Sequence, residues 1–461
     1  MQVCFIGVDI GTTVSKGVII DNEGTIMARH QVCHNYSKYN DYSDAWWDEV
    51  VQIVGELSSC VSNKSSICNI TVSAMVPNLV MLDSDGNLAC KTRLYLDDFA
   101  MDEQNKMDKA DGTKWKNETL SKLVVLKEKE KDWHRISHIL TTHCFIGYKF
   151  TGNYYCDVAS AYEYGHVFDE STRDWNRALL EKHNIDCKLF PTLVSSVSNI
   201  GIMNDATADL LRLPRGIRIV AGSHDSVASM IGAGLSDSGD NLLYYGTFNC
   251  SAVIHSSIID ILLGNTVSSP IEWTSSIPDS GPQFTALCKL LIGADDYEQY
   301  DKLASLSQPG ANGVVFLQNP NLLRTSISSV SDGSFFHINN KTSMKDLCRA
   351  VYEAFPYGVL AFWENNPGFS KPKFCFAAGG GVRSDLRVQI VSDVLSLKQY
   401  RLEFAENAVG TALIGVAAFD QVEFSRLQKI RREQAALFYP NATDYPAYRT
   451  MSKEYQRLLN K

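Results

Sequence analysis

Several short stretches of this 461-residue chain combine carboxylate, hydroxyl and glycine in patterns suited to phosphate chemistry. The first is Asp9-Ile10-Gly11-Thr12-Thr13. A turn whose glycine lets the backbone approach a ligand can aim N–H groups at phosphate oxygens, and the threonine hydroxyls add donors. Asp9, at the strand end, suits Mg²⁺ directly or through water. A tight turn with a solvent-facing aspartate is the competing reading. Gly246-Thr247 closes a later strand in the same manner and would grip the phosphates of a nucleoside triphosphate from the opposite side; an ordinary hairpin competes. Gly379-Gly380-Gly381 ends an apolar run, where a planar base can lie against backbone without interference from Cβ atoms. Ser384 and Gln389 on the following helix are candidates to line that surface, and a flexible turn is the alternative. In Gly222-Ser223-His224-Asp225, Asp225 stands at a strand-to-helix junction. A carboxylate there could accept the proton of a substrate hydroxyl attacking a γ-phosphoryl group. A helix N-cap would explain the same aspartate.

The elements that must hold these residues are readable in outline. Phe5–Asp9, Lys16–Asp21 and Thr25–Val32 read as three strands of an antiparallel meander. A helix follows from about Ser43, capped by Ser43 or Asp44, with Trp46, Trp47, Val50, Val51 and Val54 at helical spacing. Strands recur near Ile70–Ala74 and Leu79–Leu82, and a charged, mostly helical region runs to about Ile185. Ile217–Ala221 leads into the Asp225 segment and a helix over Ser226–Ala233. The Gly-, Ser- and Asp-rich stretch Gly234–Asn241 is the expected domain boundary, dividing the chain into 1–235 and 236–461. Beyond it the opening plan returns: strand, Gly246-Thr247, strand. Two hairpins with matching Gly-Thr turns, each opening its half, suggest a duplicated α/β architecture. A helix is expected over Ser384–Leu395, and Glu406 and Gly410 precede an Ala-rich helix reaching Phe419. The tail from Ser425 to Lys461 reads as a surface helix.

A hydrophobic fraction of 45% with 21% charged residues is ordinary for a globular protein, and the net charge of -9 argues against a nucleic-acid backbone as partner. No apolar run is long enough for a membrane span, and the N-terminus carries no signal-peptide pattern. The 12 cysteines include no Cys-x-x-Cys pair and read as reduced thiols of a cytoplasmic protein. Walker-type phosphate loops, dinucleotide fingerprints, zincin motifs and nucleophile elbows are all missing.

Together the pieces resemble the FGGY carbohydrate kinases, a branch of the actin-like and hexokinase-like ATPases, in order and over nearly the whole chain. Asp9-Ile-Gly-Thr-Thr13 looks like the family's first phosphate motif and Gly246-Thr247 like its second. Trp46-Trp47 falls where relatives often carry a Trp pair. Leu82-Asp83, Asp85-Gly86 and Asp97 resemble the segment beside the substrate, and Gly222–Asp225 the segment bearing the base. Gly333–Ile338 with Asp346–Glu353 is similar to the C-terminal signature, with His337 where glycine is usual. Ala378–Gln389 looks like the adenosine motif. The resemblance implies an α/β fold of two actin-like (ribonuclease H-like) domains with a central cleft, ATP and Mg²⁺ as cofactors, and a small sugar or polyol as substrate, with Asp225 as general base. A homodimer is an allowed assembly.

The acceptor segments have drifted. Met75-Val76-Pro77-Asn78 stands where xylulokinases carry Gln-Met-His-Gly, and Asp97 is followed by Asp98 and Phe99 rather than leading to an arginine. Phe316–Arg324 has also departed from the family's pattern. The Ser-His-Asp form of the base segment is nearer to the kinases of deoxyketoses and polyols. A ketose, deoxyketose or polyol of about four to six carbons is expected, with Asn78, Asp97 and His224 as candidate substrate contacts; a structural role for each is equally compatible. The competing functions are a catalytically weak sugar- or nucleotide-binding regulator on the same fold, and an ATPase of the superfamily acting on a protein or cofactor.

Overall fold

The opening strands are apolar on both faces, so they belong at the centre of a sheet rather than at its edge. In the computed structural model β1 (Cys4–Ile10) is buried along its whole length. It pairs antiparallel with β2 (Val14–Asp21), which pairs antiparallel with β3 (Ile26–Cys33). The alternating burial of β3 marks it as the sheet's edge. The structure describes residues 3–111, 119–246, 249–266, 268–277, 280–318, 333–366, 371–403 and 406–460.

Helix α1 (Tyr42–Ser59) starts one turn position earlier than the sequence suggests: Asp41, not Ser43 or Asp44, is the N-cap, accepting the Ser43 N–H. Asp41 also takes the Ser43 hydroxyl, which leaves Ser43 inside the helix and buried. Strand β4 (Ile67–Ala74) runs parallel to β1 and places Ser73 opposite Asp9. The region to Ile185 is less helical than expected. Helix α2 (Thr142–Thr151) is followed by a short strand over Tyr155–Asp157, where the aromatic and β-prone run after Gly152 favours extension. Strands β5 (Asn199–Ile202) and β6 (Arg218–His224) complete the first sheet, whose order is β5-β6-β4-β1-β2-β3. At Gly222 the backbone turns to φ +74 and β6 approaches β4 so closely that a Cβ would stand 1.9 Å from the Val72 carbonyl oxygen. Helix α3 (Asp225–Ala233) starts directly from the strand end.

The second sheet repeats the plan. Strands β7 (Asn241–Tyr245), β8 (Asn249–Ile254) and β9 (Ile271–Ile277) form an antiparallel meander. β10 (Phe374–Ala378) runs parallel to β7, as β4 does to β1, with β11 (Lys398–Arg401) and β12 (Ala436–Phe438) beyond it. Its order, β9-β8-β7-β10-β11-β12, mirrors the first sheet's sequence of meander, parallel strand, parallel strand and antiparallel edge. Helices α4 (Met344–Asn365) and α5 (Asp385–Leu395) pack with it.

The chain forms two compact units: one of residues 1–232, 256–270 and 406–430, the other of 233–255, 271–405 and 431–461. Helix α6 (Asn407–Phe419) therefore belongs to the first unit, and Gly410 lies inside it rather than before it. The tail is not a surface helix alone. Helix α7 (Tyr445–Leu459) buries Tyr448, Tyr455 and Leu458 in the second core, the two tyrosines falling on one face at a seven-residue spacing. No helix among the described residues is long and apolar enough to cross a membrane.

Candidate active site

In the first unit the end of β1 delivers Asp9, which is 4% exposed. Ser73 donates its hydroxyl to Asp9 Oδ1 at 2.7 Å. Thr411 of α6 lies 2.6 Å from the same Ser73 oxygen. Asp9 Oδ2 points toward the turn, 3.9 Å from where a Cβ on Gly11 would stand. Burial pushes the Asp9 carboxyl up to about 6, against the opposing pull of Ser73, Lys16 and Asn407. Gly11 closes the turn by donating to the Val14 carbonyl at 3.2 Å, and Thr12 and Thr13 are exposed.

Asp225 is the first residue of α3 and half-buried. Burial raises its carboxyl to about 7, helped by the negative charges of Asp9 and Glu163 and opposed by hydrogen bonds from Ser226. His224 before it is buried and held below the ordinary histidine value by desolvation, with Glu163 and Asp157 pulling the other way. The strand end that carries both residues is braced from behind. Asp157, fully buried, accepts from the hydroxyls of Ser223 and Ser196, each at 3.0 Å, and from the Ser160 N–H at 3.1 Å. Its other oxygen pairs with His143 Nε2 at 2.7 Å. His143, Cys144 and Asp157 offer ligand atoms within 4.8 Å of one another. The Asp157 oxygens are already taken by these partners, and the arrangement is that of a structural brace.

Asn78 and Asp97 shape the neighbouring segment. Asn78 donates to Thr142 Oγ1 at 2.9 Å and accepts the Tyr95 N–H at 2.8 Å. Asp97 accepts the Leu94 N–H at 2.8 Å. Lys122 donates to the carbonyls of Leu94 and Tyr95 at 3.1 and 2.6 Å. These bonds hold Tyr95 near Asp225: the Tyr95 phenol is pushed well up, first by burial and then by the Asp225 charge. Tyr95 and Glu163 carry no motif, and only the folded backbone brings them to Asp225. So Asp9, the Gly11–Thr13 turn, Asn78, Asp97, His224 and Asp225 all lie in the first unit.

The second unit holds the remaining candidates. Gly246 directly follows β7, while Thr247 and the Asn319–Arg324 part of the drifted stretch lie outside the described residues. Gly379 adopts φ +93, and Gly380 and Gly381 open a 3-10 turn. Ser384 caps α5, accepting from the Arg387 N–H at 3.0 Å and donating to Asp301 at 2.9 Å. The Gln389 amide is engaged by Asp393 and the Tyr439 carbonyl, each at 2.8 Å. Arg387, unremarked in the sequence, is buried beside Gly381, its guanidinium 5.4 to 5.7 Å from the ring centroids of Tyr245, Phe284 and Tyr352.

Solved structures of this shape include carbohydrate kinases. The structure of gluconate kinase from Lactobacillus acidophilus matches 100% of this chain and 98% of its own at a TM-score of 0.84, with 19% sequence identity. The fold is thus that of the two-domain actin-like ATPases. In sequence, the chain is 25% identical to the xylulose kinase of Staphylococcus xylosus, over 99% of this chain and 98% of that one. It is 25% identical to the L-fuculokinase of Escherichia coli K12, over 94% and 96%. The N-terminal domain of the FGGY family of carbohydrate kinases matches residues 4–232. The chain belongs to the FGGY family and is a carbohydrate kinase.

Proposed function

We propose that this kinase transfers the γ-phosphoryl group of ATP to a hydroxyl of a ketose, deoxyketose or polyol, with Asp225 as general base. The observation that carries this reading is the Asp225 carboxyl, raised to about 7 at the mouth of a strand-to-helix junction with Asp9 in electrostatic reach. A base works best when its pKa lies near the working pH. Asp225 takes the hydroxyl proton, the freed oxygen bonds to the γ-phosphorus, and ADP leaves with the electron pair of the broken P–O bond.

Asp9 fits a Mg²⁺ ligand or the anchor of its waters: one oxygen is fixed by Ser73, the other faces the turn, and burial alone leaves the carboxylate in want of a cation. When bound, the ion would offset phosphate charge. The Gly11-Thr12-Thr13 turn and Gly246-Thr247 are assigned to the phosphates, and Gly380, Gly381 and Ser384 to the nucleoside. Gln389 shapes that surface through Asp393 and Tyr439 rather than by free reach. His224 and Asp97 are assigned to the sugar side, and Asn78 acts there by fixing Tyr95. A binding-only regulator is disfavoured by full-length similarity to kinases together with the retained Asp9 and Asp225. The deciding experiment is a coupled ADP-release assay over a panel of ketoses and polyols. Sugar-stimulated ADP release is expected; binding of sugar without turnover would favour the regulator.

A further inference from the structure

The turn after β1 is clamped by a histidine that the reaction does not require. His34 follows β3, and both of its ring nitrogens meet acceptors. Nε2 stands 2.9 Å from the Gly11 carbonyl oxygen. Nδ1 stands 3.0 and 2.9 Å from the two Glu49 oxygens. A carbonyl oxygen only accepts, so Nε2 carries a hydrogen; Nδ1 faces a carboxylate and is satisfied by carrying one too. The pair is out of water, with the His34 and Glu49 side chains 4% and 5% exposed. In that setting a carboxylate without a counter-charge is costly.

We infer that His34, as an imidazolium paired with Glu49, is a positioning residue for the Gly11-Thr12-Thr13 turn. This deepens the proposed kinase reading and rests on it at one point, the assignment of phosphates to that turn. The lever is peptide planarity. Carbonyl and N–H of one peptide unit point in opposite directions, so holding the Gly11 oxygen inward aims the Thr12 N–H outward. The backbone N–H of His34 also donates to the Thr13 carbonyl at 3.3 Å, which fixes the Thr13–Val14 unit and so the far end of the turn.

The groups facing this ring are Glu49 from α1, the Tyr36 ring stacked at 4.8 Å from the following 3-10 turn, and the Gly11 carbonyl. Ser15 of β2 donates to Glu49 at 2.7 Å and steadies the carboxylate. Burial draws the ring toward neutrality, but the bonds to Glu49 and Gly11 and the Glu49 charge outweigh it, leaving His34 above its ordinary value of 6.5. The sign follows: the clamp is complete below about 6.5 and is lost as pH rises through the higher folded value.

The test uses the full chain, ADP as probe, and two variants. Imidazole NMR shifts report the charge of His34, and calorimetry gives the ADP Kd between pH 7 and 9.5. In the wild type the ring is expected to remain an imidazolium above 6.5, with the Kd rising roughly three- to tenfold as it deprotonates. Glu49→Gln keeps a hydrogen-bond partner but removes the charge, so the ring titration and the Kd step should both move to lower pH. His34→Gln keeps a donor for Gly11 but should flatten the pH dependence. A ring that titrates at or below 6.5, or an ADP affinity indifferent to its titration while sugar phosphorylation proceeds normally, overturns this inference and leaves the kinase reading intact. Failure to bind ADP at any pH overturns both.

Discussion

Ser73 and Thr411, 338 residues apart in the chain, bring their hydroxyl oxygens within 2.6 Å of each other, and Ser73 donates its hydroxyl hydrogen bond to Asp9. A residue near the end of the chain thus supports a carboxylate near its beginning. Ser73→Ala leaves Asp9 Oδ1 buried without that donor. The expected cost is about 1–3 kcal/mol of stability, with the Asp9 carboxyl driven further up and a higher Mg²⁺ requirement. Urea melts and a Mg²⁺ titration of turnover check both; an unchanged Mg²⁺ curve would count against the role given to Asp9.

Asp225→Asn separates chemistry from folding. Turnover should fall about 10²–10⁴-fold while ATP affinity is kept. The variant should also melt at a higher temperature at pH 8, because a carboxyl raised from 3.8 to about 7 is held in its charged form at a cost on the order of 1 kcal/mol or more. Loss of turnover accompanied by lower stability would point to a structural role instead.

The same shift sets a pH profile. Asp225 acts as a base only when ionised, so kcat/KM should climb with pH through about 7 and level off above it. For stability the sign is reversed. The folded state holds this proton more tightly than the unfolded chain does, so the contribution is most favourable near and below 3.8 and worsens as pH rises through about 7. Bound Mg²⁺ at Asp9 should move the activity limb to lower pH, which a profile at two Mg²⁺ concentrations would reveal.

Asp157→Asn tests the brace. It would strand His143, whose ring burial disfavours but the Cys144 and Asp157 contacts hold up at about 10. Breaking a buried pair of this kind costs about 3–5 kcal/mol. Thermal melts should show the loss, and turnover per folded molecule should drop as Ser223 releases the strand end beside Asp225. Full activity with wild-type stability would dismiss the brace.

Much of this arrangement was legible in local pattern. The β1–β2 turn, the strand leading to Asp225 and the echo of the first meander in β7–β9 each depend on residues adjacent in sequence, where apolar runs and glycine breaks speak for themselves. The long-range interactions were not legible, because they join residues with no periodicity in common: the hydrogen bonds of Thr411 with Ser73 and of Asp157 with Ser223, and the charge influence between Asp225 and Glu163 or Tyr95. Local competition misled too. Ser43 looks like a helix cap, but Asp41 two residues earlier has the stronger acceptor and takes both its N–H and its hydroxyl. The polar tail hid the apolar face of α7 because its contacts are tyrosines, which read as surface as readily as core.

Helix α6 seats itself so tightly on the first sheet that a Cβ on Gly7 of β1 would lie 2.3 Å from the Ala412 backbone nitrogen. During synthesis, then, the N-terminal sheet must wait with one side uncovered until residues 406–430 have left the ribosome, by which time nearly the whole polypeptide exists. A fragment ending near residue 235 would keep that apolar side bare and is expected to aggregate, whereas adding 406–430 as a separate peptide should rescue it.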